Sequence, residues 1–282
     1  MSILDAILEA KRLEVRELRG LSSPAALRSF ASSLRGAQAP AIIAEVKRAS
    51  PSKGVIREDL PPLAVAEAFV HAGAPCLSVL TDEPFFKGHI DYLRQIRAAF
   101  SRLPILRKDF IIDPIQVWQS VLCGADAVLL IAAALSYDEL GSLFEEACRA
   151  GLEVLVELHD EEDLSSLLRL FSELAKSSQE RLRDLPNRLM VGINNRDLGD
   201  FSVDISTSKK LVVALREELI ASSLPLLAEE LLVVSESGLK TAAQLKELSL
   251  AGIGAFLIGE QLVREGDVAS NYRSLVGDFG GT

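Results

Sequence analysis

The sequence predicts an α/β protein folded as one (β/α)8 TIM barrel with an extra helical segment at its N-terminal end. Three observations carry this. Eight short runs rich in apolar residues, at 41–46, 76–80, 105–108, 127–131, 154–158, 190–193, 231–234 and 255–258, alternate with segments of helical length and periodicity, which is the rhythm of βα units. The runs are near-continuously apolar, as parallel strands covered on both faces must be. No Gly-x-Gly-x-x-Gly follows the first run, so a dinucleotide-binding open sheet lacks its main signature. The 282 residues lie inside the range over which such barrels run as one unit. The expected division is a helical extension at 1–40 and the barrel at 41–282.

Before the first strand, Ile3, Leu4, Ile7, Leu8, Val15 and Leu18 recur at near-helical spacing among Glu and Arg, and Gly20 follows as a stop. An amphipathic helix is expected over 2–19. A polar, Ser-rich stretch then leads to Pro40. Two later stretches break the βα rhythm: the polar run 176–188 ahead of the sixth strand and the long approach 217–230 to the seventh. Both are expected on the N-terminal side of the barrel, opposite the end where barrel enzymes keep their chemistry.

Composition narrows the class. With 49% hydrophobic and 25% charged residues, the chain has the make-up of a globular protein with a large core, which argues against disorder. Thirty Lys+Arg face forty Asp+Glu, a net charge of -10. No stretch gathers enough cations to grip nucleic acid by phosphate neutralisation. A local phosphate site is still allowed, because it needs only a few N–H donors and one or two cations. Cys76, Cys123 and Cys148 show no CxxC spacing and read as reduced core residues, so no metal is expected. The first residues lack a secretory signal and no apolar run is long enough to span a bilayer, so a cytoplasmic location without a membrane partner is expected.

The strand ends hold the chemistry. In the first strand, Glu45 and Lys47 are two apart, so the period of two turns both toward the barrel interior. The third strand ends in Arg107-Lys108-Asp109-Phe110, the fifth in Glu157-Leu158-His159, the sixth in Asn194-Asn195-Arg196 and the seventh in Ser235-Glu236-Ser237-Gly238. Each charge alone reads as a solvated rim group or an ordinary ion pair. Burying an unpartnered ion costs several kcal/mol, so acids and bases arriving from five strands imply mutual pairing and a ligand. Ser237-Gly238 and Gly259-Glu260, with a short segment reaching Arg264, fit the phosphate site that barrels build from their last two loops. The loop Ser50-Pro51-Ser52-Lys53-Gly54 is suited to close over a substrate.

Residues 44–54, together with Leu106-Arg107-Lys108-Asp109-Phe110-Ile111, Gly192-Ile193-Asn194-Asn195-Arg196-Asp197-Leu198 and Ser235-Glu236-Ser237-Gly238, closely resemble the indole-3-glycerol-phosphate synthases of tryptophan biosynthesis. The resemblance covers nearly the whole chain. It implies 1-(2-carboxyphenylamino)-1-deoxyribulose 5-phosphate as substrate, cyclised with loss of carbon dioxide and water and without metal or redox cofactor. It implies Lys108 as the general acid toward the substrate's ketone oxygen, and cationic neighbours with partial desolvation are expected to lower the pKa of that lysine. Dehydration then falls to Glu157, Lys47 and Glu45, whose division of roles stays open. Asn194, Arg196, Glu236 and Ser237 are implied in substrate binding. Lys47, Ser50, Ser237, Gly238, Gly259 and Glu260 map to the phosphate region, Glu260 through its backbone N–H only because its carboxylate repels a dianion. A monomer is expected, with contact to other pathway enzymes left open. Two alternatives stand: a phosphoribosylanthranilate isomerase, whose Asp/Cys pair suits neither the Glu-x-Lys nor the Arg-Lys-Asp-Phe motif, and a non-catalytic barrel that binds a phosphorylated metabolite.

Overall fold

In a computed structural model, residues 28–50, 54–57, 59–197 and 202–280 are described. The helix expected at 2–19 lies outside the described residues. Eight parallel strands close a barrel: β1 (Ile42–Val46), β2 (Cys76–Leu80), β3 (Ile105–Lys108), β4 (Ala127–Ile131), β5 (Glu153–Leu158), β6 (Leu189–Asn194), β7 (Val233–Glu236) and β8 (Ala255–Ile258). Each pairs with its neighbours in sequence, and β1 closes the ring on β8 through Ala44↔Ile258 and on β2 through Glu45↔Ser78. Every expected run overlaps a strand; four coincide with it and the ends of the others differ by one or two residues.

Alternation along each strand sorts side chains into two cores. Ile42, Ala44 and Val46 pack outward with Leu77, Val79, Ile105, Val154, Val156 and the helices. Ile43, Cys76, Leu106, Ala127, Leu129, Leu155, Met190, Val234, Ala255 and Leu257 pack together inside the barrel. Continuing the inward series one step toward the C-terminal ends gives Glu45, Lys108, Glu157 and Glu236, and on β6 two steps from Met190, past Gly192, give Asn194. Thus the same period of two that builds the inner core aims the polar layer at the mouth. Cys76 and Cys123 are buried, Cys148 is half-buried, and none is paired.

The bottom of the barrel is plugged by α1 (Phe30–Arg35), inside the stretch that reads as merely polar and Ser-rich. Ser29 caps this helix by accepting from the Ser32 N–H. Phe30, Ala31 and Leu34 enter the inner core, each large side chain contributing about 1.5–3 kcal/mol of apolar burial. The Glu153 carboxylate, at the start of β5, accepts from the N–H groups of Phe30 (3.0 Å) and Ala31 (2.7 Å). A carboxylate at a helix N-terminus satisfies donors the helix leaves open.

Arg35 donates to the carbonyl of Pro186, in α7 (Gln179–Arg188), and to that of Glu230, at the end of α9 (Pro225–Glu230). These ties put both irregular stretches on the N-terminal side, as expected. The run 176–188 is less of a surface elaboration than its polarity suggests, because Leu182, Leu185 and Pro186 are buried. The other elements are α2 (Pro62–His71), α3 (Ile90–Ala99), α4 (Pro114–Cys123), α5 (Tyr137–Arg149), α6 (Glu161–Ser177), α8 (Ser206–Ala221), α10 (Ala242–Leu250), α11 (Glu260–Val263) and α12 (Val268–Gly280). No helix among the described residues is long and apolar enough to cross a membrane.

Candidate active site

At the C-terminal end of the barrel a cavity of 560 Å³ has a charged floor and an apolar wall. On the floor, the Lys108 ammonium lies 2.5 Å from a Glu157 oxygen and 3.0 Å from a Glu236 oxygen. The second Glu157 oxygen accepts from the Asn194 amide (3.1 Å) and has the His159 Nε2 at 3.3 Å. Beside them Glu45 and Lys47 pair at 2.6 Å. The wall is formed by Leu80, Phe85, Phe86, Phe110, Leu129 and Ile131.

The electrostatics of Lys108 run opposite to the sequence-based expectation. Burial opposes its charge, but the carboxylates of Glu157, Glu236 and Glu45 outweigh burial and hold the ammonium above its ordinary pKa. The cation expected beside it, Arg107, is turned out of the barrel by the period of two. Its guanidinium donates to Thr81 Oγ1 (3.0 Å), to Ser120 Oγ (3.1 Å) and the Gln116 carbonyl (3.0 Å) in α4, and to Asp109 (2.8 Å). Lys108 therefore sits among anions.

Those anions do not titrate alike. Burial would raise Glu157, yet Lys108 and His159 hold it below the usual carboxylate range. Glu236 is pushed up to about 8 by burial, with Lys108 offsetting this and the neighbouring Glu157 charge adding to it. The two carboxyls are thus pushed in opposite directions, Glu157 toward the ionised form and Glu236 toward the protonated one, as expected when two such buried groups share one cation.

Two glycines make room for this arrangement. A Cβ on Gly192 would collide with Glu236 Oε1, and one on Gly259 would stand 2.5 Å from Glu45 Oε2. The close approach expected at Gly259 is thus to a carboxylate of the chain itself. Gly259 also precedes α11, and Glu260 reaches Arg264 at 3.7 Å. Ser237 (φ 67°) and Gly238 (φ 76°) form a left-handed turn after β7, and Val203 packs where a Gly238 side chain would stand.

Every candidate residue but Ser50 lines this one cavity: Glu45, Lys47, Lys108, Glu157, Asn194, Arg196, Glu236, Ser237, Gly238, Gly259 and Glu260. Ser50 pairs with Gly54 in a two-residue hairpin, and the tip between them lies outside the described residues. The Asn-Asn pair divides: Asn194 faces Glu157, while the Asn195 amide donates to Ser235 Oγ and to the Glu236 and Ser237 carbonyls. Asn195 thereby ties the end of β6 to that of β7. Sequence reasoning missed the aromatic wall and any role for His159. Phe85, Phe86 and Phe110 follow β2 and β3, so the strand-end rule would have found them had it been applied to apolar residues as well as charges.

A family model described as "Indole-3-glycerol phosphate synthase" matches residues 4–275. The chain belongs to the indole-3-glycerol phosphate synthase family. The indole-3-glycerol phosphate synthase of Rhodopirellula baltica is 43% identical over 287 aligned positions, covering 98% of this chain and 99% of the relative. That of Acaryochloris marina is 44% identical, covering 96% of this chain and 86% of the relative. Among solved structures, 3-hexulose-6-phosphate synthase from Salmonella typhimurium superposes with a TM-score of 0.55 at 15% identity, over 84% of this chain and 97% of that one; this similarity concerns the fold alone. As a member of the indole-3-glycerol phosphate synthase family the chain is a carboxy-lyase of tryptophan biosynthesis acting on a small phosphorylated molecule. The isomerase and the non-catalytic binder are set aside.

Proposed function

We propose that Lys108, bracketed by Glu157 and Glu236, drives ring closure of 1-(2-carboxyphenylamino)-1-deoxyribulose 5-phosphate, and this bracketing carries the assignment. As the aromatic carbon bearing the carboxylate attacks the ketone carbon, negative charge grows on the ketone oxygen. A lysine held above its ordinary pKa is a weak acid toward water but a full-time proton carrier, and a developing alkoxide is basic enough to take its proton. The fixed positive charge also stabilises that oxygen before transfer. A neutral Lys108 among three carboxyl groups is unfavourable, and Glu236 at 3.0 Å, whose burial favours its protonated form, is placed to restore its proton.

Loss of carbon dioxide returns the bonding pair to the ring and regenerates the aromatic system. Dehydration then needs a proton on the leaving hydroxyl and a base for the proton on the adjacent ring carbon. Glu157, kept ionised and touching Lys108, suits the base, and Lys108 supplies the acid. Lys47, held by Glu45, is left to orient hydroxyls and phosphate.

The apolar wall of Phe85, Phe86 and Phe110 fits the anthranilate ring, with Asn194 and Arg196 toward its carboxylate. Backbone N–H groups at Ser237, Gly238, Gly259 and Glu260, together with Lys47, fit the phosphate, helix starts and turn amides being good anion donors. All these groups come from one chain, so the reading requires no second subunit; it takes the enzyme to be a cytoplasmic monomer. The direct test supplies the carboxyphenylamino-deoxyribulose phosphate and follows indole fluorescence together with released carbon dioxide. Binding without either signal would overturn the reading.

A further inference from the structure

His159 closes β5 beside the site and has no part in the steps above. Its side chain is only 8% exposed and lies between two carboxylates, with Nε2 at 3.3 Å from Glu157 Oε1 and Nδ1 at 3.3 Å from Asp163 Oδ2. Asp163 also accepts from the His159 backbone N–H at 2.7 Å, so it grips the residue twice. Asp163 is buried in the first turn of α6, where its own N–H donates to the N-cap Asp160. The anchor of the ring is therefore the start of a helix packed on the outside of the barrel. The contact from Nε2 to Glu157 is a charge contact, since no aligned hydrogen bond joins them.

We propose that His159 is a positioning residue that, anchored by Asp163, fixes the Glu157 carboxylate in the orientation that reaches Lys108. Glu157 faces Lys108 from β3, Glu236 from β7 and Asn194 from β6, with Glu45 and Lys47 beyond them on β1. Of these, only Lys108 gives Glu157 a direct cationic contact. Once Lys108 has given up its proton, the Glu157 charge would have no cation left on its inner side. His159 provides one on the other oxygen, and Asp163 keeps the imidazole charged. Burial favours the neutral ring, but the contact with Asp163 and the nearby Glu157 charge outweigh it and raise the imidazole to about 9. The wider reason is that a group orienting a reactive carboxylate must itself be fixed by its surroundings.

The inference rests on the role assigned to Glu157, and the experiment separates the two. Ring resonances of the three histidines (His71, His89 and His159) are titrated by NMR in the full chain and in Glu157→Gln. In parallel, kcat, KM and their pH profiles are measured for His159→Gln, Asp163→Asn and Glu157→Gln. The expected result is a buried ring titrating near 9 that falls toward its ordinary value in Glu157→Gln. His159→Gln should lower kcat about tenfold with KM nearly unchanged, and should move the acid limb of the profile up by about one pH unit, the effect of one charge beside a carboxylate. Asp163→Asn should do the same more weakly. A His159 ring titrating near 6.5, or a folded His159→Gln enzyme with unaltered kcat and pH profile, overturns the positioning role. Normal turnover in Glu157→Gln instead overturns the role of Glu157, and the titration then decides by itself whether the two residues are coupled. If His159→Gln does not fold, the titration of the unmodified chain and the kinetics of Asp163→Asn decide.

Discussion

Lys108 and Glu157 meet at 2.5 Å across the barrel mouth although they come from β3 and β5, with β4 between them. Both side chains must therefore point inward at the same height. Lys108→Ala is expected to lower kcat by about 10³-fold, general acid catalysis alone being worth about 10²–10⁴. The barrel should persist, because its inner core lies below this layer. Steady-state indole formation and a circular dichroism melt check both halves; near-normal turnover by a folded variant discards Lys108 as the acid.

The perturbed groups give stability a predictable pH dependence. Glu236 titrates at about 8 in the folded chain and His159 at about 9, both above their unfolded values. A group with a raised folded pKa binds more protons folded than unfolded, so its contribution is complete below the unfolded pKa and is lost as pH rises through the folded one. For His159 the loss spans about pH 6.5 to 9, and for Glu236 about pH 4.5 to 8. Glu157, held low, acts in the other direction and loses its contribution only in acid. The melting temperature should therefore fall between pH 6 and 9, by roughly 2–4 °C per kcal/mol lost. Scanning calorimetry across that range should also show a shallower fall in Glu236→Gln; identical slopes would contradict the assigned proton.

The inward series of the strands was legible because it is local: a period of two, read from any apolar residue, tells which charge faces the interior. That turned Glu45 and Lys47 toward the interior, and the strand-end rule brought Lys108, Glu157 and Glu236 to the same mouth. What could not be read is what surrounds each charge. The environment of Lys108 is set by residues 49 and 128 positions further along the chain, while its sequence neighbour Arg107 faces away. The plug α1 escaped for a similar reason, since a six-residue helix with two serines has little periodicity and is held by Glu153, far along the chain. Local pattern fixes direction, and long-range packing fixes chemistry.

Gly192 should matter through Glu236. An alanine there would collide with Glu236 Oε1, and the carboxyl would have to leave the position it holds beside Lys108. Gly192→Ala is expected to reduce kcat at least tenfold and to cost about 1–3 kcal/mol of stability, as over-packing typically does. In a Glu236→Ala background only the close approach to Leu155 Cδ1 at 3.3 Å remains, so adding Gly192→Ala there should cost less stability than in the parent chain. A double-mutant cycle in urea measures the difference; additive effects would mean that Gly192 acts through the backbone instead.

The opposite end of the barrel should separate stability from activity. Glu153 holds α1 through two backbone N–H groups, and Glu153→Ala leaves both donors buried without an acceptor. Hydrogen bonds to a charged group are worth about 1.5–3 kcal/mol each when made and still more is lost when a buried partner is stranded, so a fall in melting temperature of several degrees is expected. Glu153 and Glu157 share β5, but four residues of strand put about 13 Å between them. Chemistry at the C-terminal face should be insensitive to a bottom-face packing defect as long as the barrel is folded. Assayed at 20 °C below its own midpoint, Glu153→Ala should keep kcat within about twofold, because α1 sits at the opposite end of the barrel and the ring of eight strands is closed without it. A variant with an unchanged melting temperature but depressed kcat would show instead that α1 is coupled to the mouth through the inner core, by way of Leu155 between the two glutamates.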